Sequence, residues 1–212
     1  MKICRNLAQR TDQWFAQRAG RVTASRFASV ITPEGKESAQ WSNFAVELCC
    51  ASIRPDELQW EGNFHTDRGV ELEPAARNLF ASLMKMQVDE VGFVLHDTIP
   101  VLGCSPDGLV KPHGGEYVAG LEIKSPLSKH HARNLLDGVC PEQYKPQVHG
   151  SMVVTGLRHW YFMSYCEGFP PFITRVDWDD YTDKVKDALE RFTIFYAAER
   201  KRILPLLTGK KP

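Results

Sequence analysis

Two short stretches, Gly103–Val110 and Leu121–Pro126, constrain the fold of this chain more than any other part of its sequence. Together they predict a β-hairpin whose strands are joined by a loop containing proline and glycine. The first strand carries an acid, Asp107, at a bend after a proline and before a glycine. The second strand carries another acid, Glu122. If the strands pair, these two carboxylates can converge.

The spacing of residues in the second strand predicts where its charged groups point. Residues two apart in a strand share a face, so Glu122 and Lys124 point the same way while Ile123 points oppositely into a core. Two carboxylates beside a lysine form a site suited to a hard divalent cation such as Mg²⁺, which prefers oxygen ligands.

Length and composition indicate a single globular α/β domain. The chain has 212 residues, of which 43% are hydrophobic and 25% charged, and its formal net charge is zero. This balance argues against a generally basic nucleic-acid coat protein, while a local basic patch stays compatible with it. The N-terminus lacks the apolar segment of a signal peptide, no run is long enough to span a membrane, and the six cysteines form no CxxC pair. We therefore expect a cytoplasmic protein with reduced thiols and no membrane partner.

Apolar periodicity predicts where the main elements lie. A short helix is expected after an N-cap at Thr11 or Asp12, and a second helix is expected to start at 22–25 with Thr23 as its N-cap. Pro74 should lie in the first turn of a helix beginning near Leu72 or mark a kink. Longer helices are expected at 41–53, 66–84, 141–154 and 178–204, and strands at 88–95, 117–124, 159–165 and 172–176. We expect one domain, 1–212, with a core at about 12–178 and a C-terminal helix at about 179–204.

Five segments in this order resemble a known family. They are Trp14 with 18–25 (RAGRVTAS), Gly69-x-x-x-Glu73, 104–109 (CSPDGL), 122–126 (EIKSP), and Tyr144-x-x-Gln147-x-x-x-x-Met152. The pattern is similar to the lambda-type phage exonuclease, or YqaJ-like viral recombinase, family of the PD-(D/E)xK nuclease superfamily. The resemblance covers roughly residues 12 to 165. It implies a restriction-endonuclease-like core, with a central mixed β-sheet flanked by helices.

The resemblance implies a metal site in the hairpin. One or two Mg²⁺ ions, for which Mn²⁺ could substitute, would be bound by Asp107, Glu122 and the backbone carbonyl of Ile123. A helix-borne acid would complete the site directly or through water; Glu73 fits the spacing better than the alternative, Glu71. Lys124 would orient or deprotonate the attacking water and balance the charge of the phosphate.

The same resemblance implies a second cluster that binds a 5′-terminal phosphate. It consists of Arg18, Thr23, Ser25, Ser105 and Gln147, the last also counted among the catalytic residues. A guanidinium group suits phosphate through paired hydrogen bonds, and a helix that starts at Thr23 would add free N–H groups. Without the acidic hairpin, a surface arginine beside a capped helix would be the better interpretation.

Several residues have structural interpretations. A second glutamine is common in the family two residues after Gln147, and here that position holds His149, which we expect to be a structural histidine. His130 and His131 are expected on the surface at a helix start, and Cys104 is expected to be a small buried residue. The aromatic residues of 159–165 are expected to pack in a sheet core.

The favoured function is a 5′-to-3′ exonuclease that digests one strand of linear double-stranded DNA from a 5′-phosphorylated end. It would leave 3′ single-stranded DNA for phage-type recombination by strand annealing. The resemblance further implies a homotrimeric ring, a single-strand annealing protein as partner, and a phage or prophage origin in a bacterial cytoplasm. The alternatives are a restriction-like or structure-specific endonuclease with the same metal core, and a catalytically inactive DNA-binding scaffold.

Overall fold

The strands of the chain form two mixed sheets in the computed structural model, which describes residues 1–58 and 64–209. The first sheet has the order β1-β4-β5-β2 and the second has the order β3-β6-β7-β8-β9. The strands are β1 (Lys2–Cys4), β2 (Val22–Thr23), β3 (Gln87–Asp89), β4 (Phe93–Leu95), β5 (Leu102–Cys104), β6 (Gly108–Lys111), β7 (Ala119–Lys124), β8 (His159–Ser164) and β9 (Phe172–Asp177).

The chain crosses between the two sheets at the turn of residues 105–107, which differs from the single central sheet expected from the sequence. Strand β5, before the turn, belongs to the first sheet, and strand β6, after the turn, belongs to the second sheet. Pro106 has no N–H with which to continue a ladder, so pairing is interrupted there. Pairing resumes at once, because the Asp107 N–H donates to the Leu121 carbonyl at 3.0 Å. The predicted pairing of the acidic hairpin is confirmed, with β6 and β7 antiparallel.

Helices cover the sheets and follow most of the predicted pattern. Helix α2 has the predicted bounds, and the side chain of Thr11 caps α1 by accepting from the Trp14 N–H. A capping box formed by Asp179 and Thr182 starts the last helix. The helices are α1 (Asp12–Arg18), α2 (Trp41–Ile53), α3 (Phe64–Met84), α4 (Ser128–Asp137), α5 (Lys145–Thr155) and α6 (Asp180–Leu207), with 3₁₀ segments at Ala24–Ser29, Pro55–Leu58 and Glu142–Tyr144.

The second helix expected to start at 22–25 is a 3₁₀ helix that begins at Ala24, and Val22 and Thr23 form a strand instead. Val22 and Thr23 are β-branched and pair in parallel with β5, and the Val22 N–H donates to the Val101 carbonyl at 2.9 Å. A 3₁₀ helix follows at Ala24–Ser29, and Thr23 precedes it without making a side-chain capping bond.

The structure bears on two proline-related expectations. Helix α3 begins at Phe64, so Pro74 lies inside the helix, which excludes a place in its first turn and leaves the alternative of a kink. The helix expected to start at Pro141 instead opens with a 3₁₀ turn and becomes α-helical at Lys145, where Pro146 occupies the first turn. Gly156, with a φ of 76°, ends it as predicted.

The two faces of β7 pack against different parts of the molecule. Ala119, Leu121 and Ile123 belong to a small core with Ala76 and Phe80 of α3. The larger core lies on the other side and includes Trp160 and Phe162 of β8 with residues of α2, α5 and α6. Glu122 and Lys124, which alternate with Leu121 and Ile123, therefore point away from the small core, as the two-residue spacing predicts.

Helix α6 packs its predicted stripe into the larger core. Val185, Leu189, Phe192 and Tyr196 are all buried there. No helix within 1–58 and 64–209 is long and apolar enough to cross a membrane.

Candidate active site

The predicted acidic hairpin brings Asp107, Glu122 and Lys124 together, and helix α5 adds Gln147. The ammonium group of Lys124 lies 2.6 Å from Glu122 Oε1, and the Gln147 side-chain amide donates to the same oxygen at 2.6 Å. The Ile123 N–H donates to Asp107 Oδ2 at 2.6 Å, so Asp107 is held against the strand that carries Glu122. Glu122 is almost fully buried, with 2% of its surface exposed. We call these four residues the acidic centre.

Burial and like charge act together on the acidic centre. Burial, followed by the charges of Glu122 and Glu73, raises the pKa of Asp107 well above its ordinary value. Burial opposes the charge on Lys124, but Glu122 and Asp107 outweigh it, so the pKa of Lys124 is raised. The ring of Tyr144 lies under this ammonium group, with its centroid 5.1 Å from Nζ. Concentrated negative charge of this kind favours a cation.

Glu73 is near this centre but is bound by arginines. Arg77 of the same helix contacts its Oε1 at 2.5 Å, and Arg10 contacts its Oε2 at 3.2 Å. Glu73 is buried, with 9% of its surface exposed. The alternative acid, Glu71, is exposed.

The donor set fits a hard divalent cation in chemistry. The charge of Glu122 adds to burial in opposing ionisation of Asp107, and an oxygen-preferring cation between the two carboxylates would relieve this. Across the described residues, no three His, Cys, Asp or Glu side chains are gathered closely enough to hold an ion by themselves. A metal would therefore use these two carboxylates with the Ile123 carbonyl and water.

Four of the five predicted phosphate-binding residues form a second cluster around Arg18. Its guanidinium donates to the hydroxyl groups of Ser105 at 3.1 Å, Ser25 at 3.0 Å and Thr23 at 3.3 Å. Burial lowers the pKa of Arg18 to about 10, so the group stays charged at neutral pH. A charged guanidinium ringed by hydroxyl groups is suited to an anion. We call these four residues the anion pocket.

Gln147, predicted for both clusters, is placed in the acidic centre by its bond to Glu122. The Thr23 hydroxyl is used by Arg18 and lies 3.4 Å from that of Ser25, which explains why it does not cap the following 3₁₀ helix.

Trp14 carries a role that the sequence analysis did not assign. Its indole N–H donates to the Ser105 hydroxyl at 3.0 Å and to the Gly92 carbonyl at 2.9 Å. The Arg18 guanidinium lies over its ring at 4.2 Å from the centroid. Trp14 therefore supports two members of the anion pocket. Its position one turn before Arg18 on the same helix was the available signal.

The histidines beside these clusters are structural. His149 is buried, and its Nδ1 lies 2.7 Å from the Thr182 hydroxyl, as expected for a satisfied core residue. The expectation that His131 lies on the surface is wrong. It is fully buried, with Nδ1 at 2.8 Å from the Ser164 hydroxyl and Nε2 at 2.9 Å from the Pro170 carbonyl. Cys104 is fully buried as predicted, and all six cysteines are free thiols.

Comparisons with known proteins relate the chain to one family. Residues 13–158 match the model of a family described as the YqaJ-like viral recombinase domain. The crystal structure of an alkaline exonuclease from Laribacter hongkongensis superposes with a TM-score of 0.79 at 32% identity, covering 95% of this chain and 100% of that one. The same exonuclease in complex with dAMP gives 0.78 at 33% identity, covering 94% and 99%.

A phage-related exonuclease from Haemophilus somnus 129PT has a TM-score of 0.61 at 14% identity, over 86% of this chain and 96% of that chain, which shows likeness of fold alone. No curated protein sequence matches the chain. The fold is that of the PD-(D/E)xK nucleases, as the sequence predicts.

Proposed function

The chain belongs to the YqaJ-like viral recombinase domain family, and on that premise we propose that it is a metal-dependent 5′-to-3′ exonuclease acting on ends of double-stranded DNA. The two similar solved structures at 32% and 33% identity are those of an alkaline exonuclease, and a DNA exonuclease is the coarse function that the family supports. The proposal adds three details to this coarse function: the 5′-to-3′ direction of digestion, the binding of a 5′-terminal phosphate, and the dependence on a metal ion. It is supported by the arrangement of the two clusters.

One observation carries the proposal: Ser105 and Asp107 lie on the same turn. Ser105 accepts from Arg18 in the anion pocket, and Asp107 belongs to the acidic centre two residues later. A terminal phosphate bound by Arg18 and the surrounding hydroxyl groups would bring the next phosphodiester towards the acidic centre. An enzyme built to cut inside a continuous strand has no need of a pocket for a terminal dianion.

The residues of the acidic centre would divide the work of hydrolysis. Asp107, Glu122 and the Ile123 carbonyl would hold Mg²⁺ or Mn²⁺, which supplies Lewis-acid stabilisation of charge on the phosphate. Lys124 would donate to the phosphate or to the attacking water from its place beside Glu122. Gln147 would orient the Glu122 carboxylate through its 2.6 Å bond. Glu73 would add a carboxylate through water.

We extend the proposal to the assembly and its use. The 3′ single strand left by digestion would be the substrate of a single-strand annealing protein, in keeping with the recombinase description of the family. A homotrimeric ring around the DNA would keep the enzyme on its substrate. These steps would take place in a bacterial cytoplasm.

A time course on end-labelled linear duplex DNA tests the function. We expect Mg²⁺-dependent release of label from 5′-phosphorylated ends, slower release from 5′-hydroxyl ends, and no release with EDTA. Covalently closed circular DNA is the matched substrate without ends and should stay intact. Rapid cutting of circles would favour the endonuclease alternative. Equal inactivity of the wild type and of Asp107→Ala on every DNA substrate would favour the scaffold alternative.

A further inference from the structure

The turn at residues 105–107 is held by two side chains that belong to neither cluster. Gln9 donates its side-chain amide to the Pro106 carbonyl at 3.1 Å and to the Val91 carbonyl at 3.1 Å. Arg77 donates its Nε–H to the Asp107 carbonyl at 2.7 Å. Two consecutive carbonyls of the turn are thus bound by side chains from separate segments, one before α1 and one within α3.

The two terminal nitrogens of the Arg77 guanidinium group form ion pairs with two different carboxylates. One terminal nitrogen contacts Glu73 Oε1 at 2.5 Å and the other contacts Glu90 Oε2 at 2.9 Å. The Arg77 side chain is only 11% exposed, whereas Glu90 is 60% exposed. A planar guanidinium can serve a carbonyl and two carboxylates at once, which an ammonium group cannot do with the same geometry.

The position of this turn matters because it carries one residue of each cluster. Any displacement moves Ser105 and Asp107 relative to Arg18 and Glu122. Misplacement of a reacting group by about 1 Å can lower the rate about 100-fold. Hydrogen bonds from a charged donor are also stronger than neutral ones, so Arg77 contributes more to holding the turn than Gln9.

We propose that Arg77, assisted by Gln9, is a positioning residue that holds the 105–107 turn between the anion pocket and the acidic centre. Its effect on catalysis rests on the proposed function, whereas its effect on the turn does not. Arg77 touches the backbone of Asp107 and the side chain of Glu73, and it acts through them.

Hydrogen–deuterium exchange of the metal-free protein tests the holding of the turn. The Asp107 and Ile123 amides report on it, because they donate to the Leu121 carbonyl and the Asp107 carboxylate. We expect Arg77→Gln to speed their exchange by about tenfold or more, with peptides of α6 unchanged. Glu90→Gln is the matched control, since it removes an exposed partner of Arg77 and leaves the turn bond in place. Unchanged exchange in Arg77→Gln would overturn the proposal.

Two further variants cover the case in which Arg77→Gln does not fold. Arg77→Lys keeps a positive charge beside Glu73 but loses the guanidinium geometry, and Gln9→Ala acts on the turn without touching an ion pair. Each should speed exchange at the two amides, Gln9→Ala less than Arg77→Lys. Wild-type exchange rates in both variants would overturn the proposal.

Kinetics then separate positioning from DNA binding. For Arg77→Lys we expect kcat on 5′-phosphorylated duplex to fall about 100-fold while KM changes by less than about threefold. A raised KM with unchanged kcat would overturn the positioning role. If the wild type cleaved no DNA, the proposed function would fail, and the exchange experiment would still decide whether Arg77 holds the turn.

Discussion

Arg18 is a half-buried cation whose guanidinium hydrogen bonds, in the described part of the chain, go to uncharged hydroxyl groups. Thr23, Ser25 and Ser105 orient the guanidinium without neutralising it, and Trp14 stacks on it. Such a cation is arranged to gain a strong, charge-assisted interaction when an anion arrives. A 5′-terminal phosphate is the anion that the proposed reaction supplies.

Replacing Arg18 tests this role. We expect Arg18→Ala to lower cleavage from 5′-phosphorylated ends by about 10- to 100-fold, because hydrogen bonds to charged groups contribute about 1.5–3 kcal/mol. Cleavage from 5′-hydroxyl ends should fall much less, as measured with matched end-labelled duplexes. Arg26→Ala is the control, since that arginine is half exposed and pairs with Glu47. An equal loss on both kinds of end would contradict the assignment.

Lys124 is tested separately from DNA binding. We expect Lys124→Ala to lower the cleavage rate at least about 100-fold, because it removes a preorganised positive group from the reaction centre. DNA affinity, measured by fluorescence anisotropy with Ca²⁺ in place of Mg²⁺, should change little. Lys184→Ala, on the exposed face of α6, should leave both quantities unchanged. Substantial cleavage by Lys124→Ala would remove this lysine from the catalytic set.

Sequence reasoning at this scale succeeded where contacts are local. The shared face of Glu122 and Lys124 follows from strand periodicity, and their contact is present. Three supporting contacts join residues that are far apart in sequence. The separation is 91 residues from Trp14 to Ser105, 30 from Arg77 to Asp107 and 33 from His131 to Ser164. Nothing in local pattern predicts which distant partner such a side chain meets.

At the scale of elements, α5 and the 3₁₀ segment at Ala24–Ser29 bring the two clusters together. Helix α5 carries Gln147, and the 3₁₀ segment carries Ser25. They meet at Gly150, where an added Cβ would lie 1.9 Å from Cδ2 of the Phe27 ring. Glycine is required there by this close approach.

Gly150→Ala should therefore destabilise the fold. We expect a loss of about 1–3 kcal/mol or more in the free energy of unfolding, measured by urea denaturation, because the core cannot absorb the methyl group without moving Phe27. Adding Phe27→Leu should recover part of the loss, which would show coupling between the two positions. Gly69→Ala is the control, since a Cβ at Gly69 would meet no described atom within 4 Å. Full stability of Gly150→Ala would mean that these elements can separate freely.

The contact between α5 and the start of α6 should make stability depend on pH. Burial lowers the pKa of His149, so the folded state binds a proton less readily than the unfolded chain. The stabilisation is complete above the unfolded value of about 6.5 and is lost as pH falls below it. We expect His149→Asn to flatten the decrease in unfolding free energy as pH falls below about 6.5, by up to about 1.4 kcal/mol per pH unit. Curves that stay parallel to the wild type across that range would contradict this.

Elements were predicted best where periodicity and caps agree. Helix α2 and the buried stripe of α6 follow from apolar spacing, and Gly156 ends α5 as expected. Local pattern does not show that Val22 and Thr23 form a strand, because it omits the strand with which they pair. That strand is β5, about 80 residues later in the chain, and Val22 and Thr23 pair with it in parallel.

The whole molecule has a formal net charge of zero, and its two sheets meet at the turn that links the anion pocket to the acidic centre. The number of sheets could not be predicted, because it depends on which strand edges pair and not on strand content. The expectation of one domain over 1–212 includes residues 59–63 and 210–212, which lie outside the described residues.

The proposed homotrimer can be tested by measuring the molecular mass of the protein in solution. We expect analytical ultracentrifugation to give about three times the 24.0 kDa of one chain, because a closed ring of identical subunits is a common symmetric solution for a protein that surrounds its substrate. A dilution series should show whether the trimer dissociates. A mass of 24.0 kDa at every concentration would rule out the ring.

If the proposed roles hold, the separation between Ser105 and Asp107 would set how far from the DNA end the strand is cut. Two residues of extended backbone span at most about 7 Å, and this span joins the residue that would hold the terminal phosphate to the residue that would lie at the bond being cut. Because both ends of the span are held by side-chain contacts, the cut should fall at a constant distance from the end. The enzyme would then release products of one uniform length, with single nucleotides as the unit, whatever the base composition of the strand.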